Sequence, residues 1–94
     1  MKQDIAILRE QIDAIDRELI TLLEKRLDVA ADIAAHKQTH GLPVLDASRE
    51  AQKLAAVRAQ CRPETAENIA DVFKSVMTAA RRYQETLMEA EHGG

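Results

Sequence analysis

The 94-residue chain is 46% hydrophobic but only 2% aromatic, and it carries 16 alanines with just three Gly and two Pro. β-Branched and aromatic residues never cluster in alternating runs, which excludes a β-sandwich, a barrel or a Rossmann unit and leaves an all-helical (all-α) domain. Thirteen Lys and Arg against 16 Asp and Glu give a net charge of −3 with both signs interspersed, so a nucleic-acid footprint is absent and any cationic site must be local.

The first predicted element is one long helix over about 3–38. Residues 2–38 contain no Gly or Pro, and Ile5, Leu8, Ile12, Ile15, Leu19, Leu22, Val29 and Ile33 recur at spacings of three and four, interrupted once. About 36 residues rising 1.5 Å each span roughly 54 Å, whereas a globule of this length has a radius of gyration near 12 Å. A straight helix of that length protrudes unless a second chain covers it. A small chain with modest apolar side chains also gains from association. The expectation is an intertwined homodimer whose long helices pack at a shallow angle along their heptad seam.

His40-Gly41-Leu42-Pro43 then supplies a stop, with Gly free to adopt the left-handed conformation and Pro unable to continue the ladder. A short second helix is predicted over about 46–61, opened by the Asp46 carboxylate as a cap and carrying Leu54 and Val57. The third is predicted over about 64–90. Pro63 suits its first turn, Glu64 and Glu67 complement its positive end, and Ile69, Val72, Phe73, Val76, Met77, Ala80, Tyr83 and Leu87 form its apolar stripe. No internal repeat interrupts the chain, and a single domain over 1–94 accounts for it.

Cys61 stands alone, which excludes a disulfide framework or a zinc set and fits a reducing compartment. Asp4, Arg9 and Glu10 fall where a signal peptide needs an uncharged apolar stretch, and no run approaches the roughly 20 apolar residues of a membrane span. A cytoplasmic location is expected, with no membrane partner. His36, His40 and His92 lack a metal-like set of neighbours, and no Ser-His-Asp or Cys-His pairing stands out.

A few polar residues break the apolar pattern. Arg26 falls on the heptad seam, where a guanidinium must reach solvent, pair with a carboxylate or meet an anionic ligand; it could equally specify register. Lys37 lies eleven residues farther along nearly the same face, so the two cations flank an apolar patch about 16 Å long that contains Ala30 and Ile33. Such a patch can cradle a compact anion. Arg9 is about 25 Å from Arg26 along the helix and cannot join it within one chain, though a partner's Arg9 end can approach it. Arg49 and Glu50 follow the Asp46 cap, where a surface ion pair and helix-end complementarity explain them as readily as a site. Gln84 sits on the third helix's apolar stripe, as a satisfied interface amide or as a donor to a ligand.

Together these features resemble the all-helical class of chorismate mutases, small intertwined dimers of one long, one short and one further long helix. The resemblance runs from Leu8-Arg9-Glu10-Gln11-Ile12-Asp13-Ala14-Ile15-Asp16 through Leu22-Leu23-Glu24-Lys25-Arg26 to Lys37. It continues through Pro43-Val44-Leu45-Asp46-Ala47-Ser48-Arg49-Glu50 and closes with Phe73 and Gln84, weakest between residues 54 and 67.

The resemblance implies a Claisen rearrangement of chorismate to prephenate, in phenylalanine and tyrosine biosynthesis, with no cofactor or metal. It also implies that Arg26 and a partner chain's Arg9 hold the two substrate carboxylates. Lys37 would reach a carboxylate and the ether oxygen, with Gln84 as that oxygen's second donor. Glu50, with the Asp46 backbone, would receive the ring hydroxyl, and Arg49 would support the anionic site.

One departure concerns Ala80, where family members often carry a Ser whose hydroxyl meets a substrate carboxylate. Weaker substrate binding is expected unless a neighbour compensates; Arg81 and Arg82 are expected to point elsewhere on the helix. An isochorismate-pyruvate lyase of the same fold is the nearest alternative, against which Glu50 and the linker over 39–45 argue. An amino-substituted chorismate (aminodeoxychorismate mutase activity) is a further substrate, and a helical dimerisation module is the non-enzymatic reading. The expectation from length is that no regulatory domain and no fused dehydratase or dehydrogenase is present, so that feedback control comes from a partner protein.

Overall fold

The computed structural model describes residues 4–92, which form three helices and no strand: α1 over Ile5–Thr39, α2 over Ala47–Gln60 and α3 over Ala66–His92. Asp4 opens α1, its carboxylate accepting from the Ala6 amide at 3.2 Å. A side-chain oxygen there satisfies one of the amides that a helix start leaves without a partner.

The end of α1 is closed by a Schellman motif. Gly41 takes φ +64°, its amide donates to the Gln38 carbonyl and the Leu42 amide to the Lys37 carbonyl. A Cβ at Gly41 would meet nothing within 4 Å, so glycine is required there by backbone conformation and not by space. Asp46 caps α2, accepting from the Arg49 amide at 3.0 Å.

The start of α3 differs from the expectation. Residues 63–65 form a turn, with the Thr65 amide donating to the Arg62 carbonyl at 3.1 Å, and the first helical bond runs from Ile69 to the Thr65 carbonyl. Thr65 therefore stands at the helix entrance, and Pro63 with Glu64 lies before it. Proline drives the residue before it into extended backbone, which suits a turn entry here. Glu67 does fall in the first turn, where it also pairs with Arg58 at the end of α2, Nε to Oε1 at 2.8 Å.

α3 packs against both other helices. The buried set is small: Ala30 and Ala34 of α1, Val57 of α2, and Ala70, Met77, Ala80 and Gln84 of α3. Within the chain, the inward stripe of α1 is Leu23, Leu27, Ala30 and Ala34, the two alanines buried and the two leucines partly so, displaced by about 70° around the helix from the heptad seam. The seam itself stays open. Ile5, Leu8, Ile12, Ile15, Leu19 and Leu22 are 39–60% exposed, and on α3 the expected stripe residues Ile69, Val72 and Tyr83 are also exposed. The third helix thus carries two apolar faces, and the alanine-rich one is turned inward. The chain is correspondingly extended, measuring 58 × 29 × 14 Å with a radius of gyration of 17.1 Å.

Among the described residues no helix is long and apolar enough to cross a membrane.

Candidate active site

A cavity of about 430 Å³ opens where the C-terminal half of α1, the linker after it, the first two turns of α2 and the middle of α3 converge. That is a volume suited to a compact organic ligand. Val29, Ala30 and Ile33 line it from α1, Val44 from the linker, and Met77 and Ala80 from α3. Its charged lining comprises five cationic side chains, Arg26, Lys37, Arg49, Lys53 and Arg81, against two carboxylates, Asp46 and Glu50. A chain with a net charge of −3 thereby concentrates positive charge at one place.

Each element fixes its contribution locally. Arg26 and Lys37 reach the cavity because eleven residues make almost three whole turns of α1. The Schellman turn brings the chain back over Lys37, whose Nζ donates to the Val44 carbonyl, so the linker restrains the ammonium at the cavity wall. The Asp46 cap starts α2 such that Arg49, Glu50 and Lys53 occupy one face.

Gln84 is only 5% exposed, and its Nε2 donates to the Ala30 carbonyl across the α1–α3 contact at 2.9 Å. That bond decides the amide orientation, since only the nitrogen end can face a carbonyl oxygen. The second N–H of the same group remains as a donor.

Of the residues singled out from sequence, the cavity thus gathers Arg26, Lys37, Asp46, Arg49, Glu50, Ala80 and Gln84. Arg9 is exposed and is not part of its lining. The expectation that Arg81 points away is corrected by the structure. Its Nε lies 2.8 Å from Glu50 Oε2, its Nη2 donates to Thr78 Oγ1 at 3.3 Å, and it lines the cavity. The helical spacing explains why: Arg81 is four residues after Met77 and three before Gln84, both on the inward face. Lys53 was not singled out either, although it stands four residues after Arg49 and three after Glu50. Arg82 is exposed and lies outside the cavity.

Residues 8–85 match the family model of chorismate mutase type II. The chain belongs to the chorismate mutase type II family. Among its relatives, the chorismate mutase of Methanocaldococcus jannaschii is 29% identical over 91 residues, covering 95% of this chain and 92% of that protein. The T-protein of Enterobacter agglomerans is 38% identical over 79 residues, which are 82% of this chain but 21% of that protein, so the chain spans about a fifth of its length. The solved structure of chorismate mutase (form II) from Thermus thermophilus superposes with a TM-score of 0.81 at 31% identity, covering 88% of this chain and 96% of that one. The three-helix architecture is therefore that of a chorismate mutase fold, and the cavity lies inside the region that the family model matches.

Proposed function

We propose that this chain is a chorismate mutase, converting chorismate to prephenate by an intramolecular Claisen rearrangement in aromatic amino-acid biosynthesis. The observation that carries the reading is the convergence of Arg26, Lys37, Glu50 and Gln84, from three helices, on one cationic cavity. A carbon–oxygen bond breaks as a carbon–carbon bond forms within one molecule, so no nucleophile is needed.

The work left to the protein is positional and electrostatic. Arg26 binds one carboxylate of the substrate and, with a second arginine, holds the enolpyruvyl arm over the ring near its attack geometry. Lys37 and the free N–H of Gln84 stabilise the negative charge that develops on the ether oxygen in the transition state. Glu50 accepts the ring hydroxyl, a contact that favours the mutase over an isochorismate-pyruvate lyase of the same fold. Asp46 and Arg49 complete the rim.

The second arginine is Arg9 of another copy. The exposed seam of α1 and the exposed Ile69, Val72 and Tyr83 of α3 support an intertwined homodimer, in which the Arg9 end of one long helix closes the cavity of its partner. A bare helical dimerisation module would need the seam but not the cavity. A cytoplasmic setting belongs to the same reading, supported by the single free Cys61.

The direct test is the loss of chorismate absorbance on adding the purified protein, with product analysis. Prephenate is the expected product; chorismate left unchanged while isochorismate, added in a parallel assay, gives salicylate and pyruvate would move the assignment to the lyase, and no turnover of either would overturn it.

A further inference from the structure

Among the described residues, Arg81 is the one cation of the cavity wall paired with a carboxylate, and the carboxylate it engages is Glu50. The pair joins α3 to α2, with the two side chains 31% and 24% exposed. The Nε atom itself is buried, and its N–H is not aligned with any acceptor among the described residues, so the 2.8 Å contact with Oε2 is an ion pair and not a linear hydrogen bond. Charge balance, more than directional bonding, is what this arrangement provides. Lys53 lines the same side of the cavity, from the turn of α2 after Glu50.

An unpaired carboxylate at this place would face two problems. It would repel a substrate bearing two carboxylates of its own, and it would attract a positively charged ring substituent more strongly than a neutral hydroxyl. Pairing with Arg81 removes both while leaving an ionised acceptor in place for a hydroxyl donor. Resting on the mutase reading above, we propose that Arg81 is a specificity-determining residue: by neutralising Glu50 it makes the cavity select a ring hydroxyl over a ring ammonium. It acts through Glu50 and is therefore a positioning residue.

The test compares kcat/KM for chorismate and for 4-amino-4-deoxychorismate at pH 7, where the amine is protonated, in the wild type and in Arg81→Leu and Arg81→Lys. In the Leu variant the preference for chorismate should fall by about tenfold or more, tenfold corresponding to 1.4 kcal/mol of differential interaction. The change for chorismate should appear chiefly in KM. The Lys variant, which retains the charge, should recover most of the preference.

Thermal melts establish that each variant is folded, and Arg81→Met is read in the same way should the Leu variant fail to fold. A preference unchanged in both Leu and Lys variants, with chorismate still turned over, would overturn this role and leave the mutase reading intact. A wild type that turns over neither compound would overturn both.

Discussion

Gln84 Nε2 hydrogen-bonds the Ala30 carbonyl at 2.9 Å, joining two helices through residues 54 positions apart in the chain. One N–H of the amide holds α3 to α1, and the other is the donor that the proposed mechanism directs to the ether oxygen. Gln84→Met keeps the volume and removes both donors. Turnover should fall by about 10²–10³, the usual effect of losing one donor to a developing oxyanion. Stability should fall by about 1 kcal/mol, the net worth of one hydrogen bond. Steady-state kinetics and a denaturant melt on the same preparation separate the two; equal turnover in the variant would remove Gln84 from the catalytic group.

Lys37 behaves differently in one respect. Its contact with Val44 is made to the linker and is half-exposed, so folding depends on it little. Lys37→Ala should therefore lower kcat by about 10²–10³ with a melting temperature close to that of the wild type. An unchanged rate constant would contradict its role at the ether oxygen.

Ala80 lines the cavity, and the proposed mechanism expects a serine hydroxyl there to meet a substrate carboxylate. A hydrogen bond to a charged group is worth about 1.5–3 kcal/mol, so Ala80→Ser should lower KM by about tenfold to a hundredfold. A KM that does not move would mean that another cation of the cavity wall, such as Lys53, already supplies that contact.

Arg9 and Arg26 belong to the same site only if they come from different chains. Arg9→Ala and Arg26→Ala, each nearly inactive alone, should regain activity when unfolded together and refolded. Random pairing makes half of the dimers mixed, each with one intact site of two, so roughly a quarter of the wild-type rate is expected. Inactivity of the co-refolded mixture would remove Arg9 from the site.

Gly41 offers a stability measurement independent of substrate. Its φ of +64° disfavours any residue with a Cβ, and the space around it is open, so Gly41→Ala should cost about 1 kcal/mol from backbone strain alone. A thermal melt reads this directly. Because the same turn carries Leu42 back onto Lys37, kcat should fall as well.

Periodicity and turn chemistry made α1, its glycine stop and the Asp46 cap legible from sequence, since those depend on neighbours a few residues apart. The entrance of α3 was less so: Pro63 is compatible with either a turn or a first helical turn, and only the hydrogen bond to Arg62 decides for the turn, with Thr65 as the opening residue. The internal packing face of α1 was hidden for a different reason. Ala30 and Ala34 carry a weaker apolar signal than Val29 and Ile33, yet close helix contact favours the small residues and leaves the larger ones to line the cavity and the seam. Arg81 was passed over because a charge beside an apolar stripe reads as solvated; its partner Glu50 lies on another helix, 31 positions away, and local spacing cannot reveal it.

The abundance of alanine has a consequence beyond helix propensity. Where methyl groups are all that separate two helices, the interaxial distance is set by side chains with no freedom to rearrange. Ala34 of α1 and Ala70 of α3 are buried outside the cavity lining, so a larger side chain at either would disturb the helix packing that holds the cavity walls without entering the cavity itself. The tolerance of this cavity for ligands of different girth is thus written into its smallest residues, and a single added methylene at Ala34 would be felt as a change in what fits.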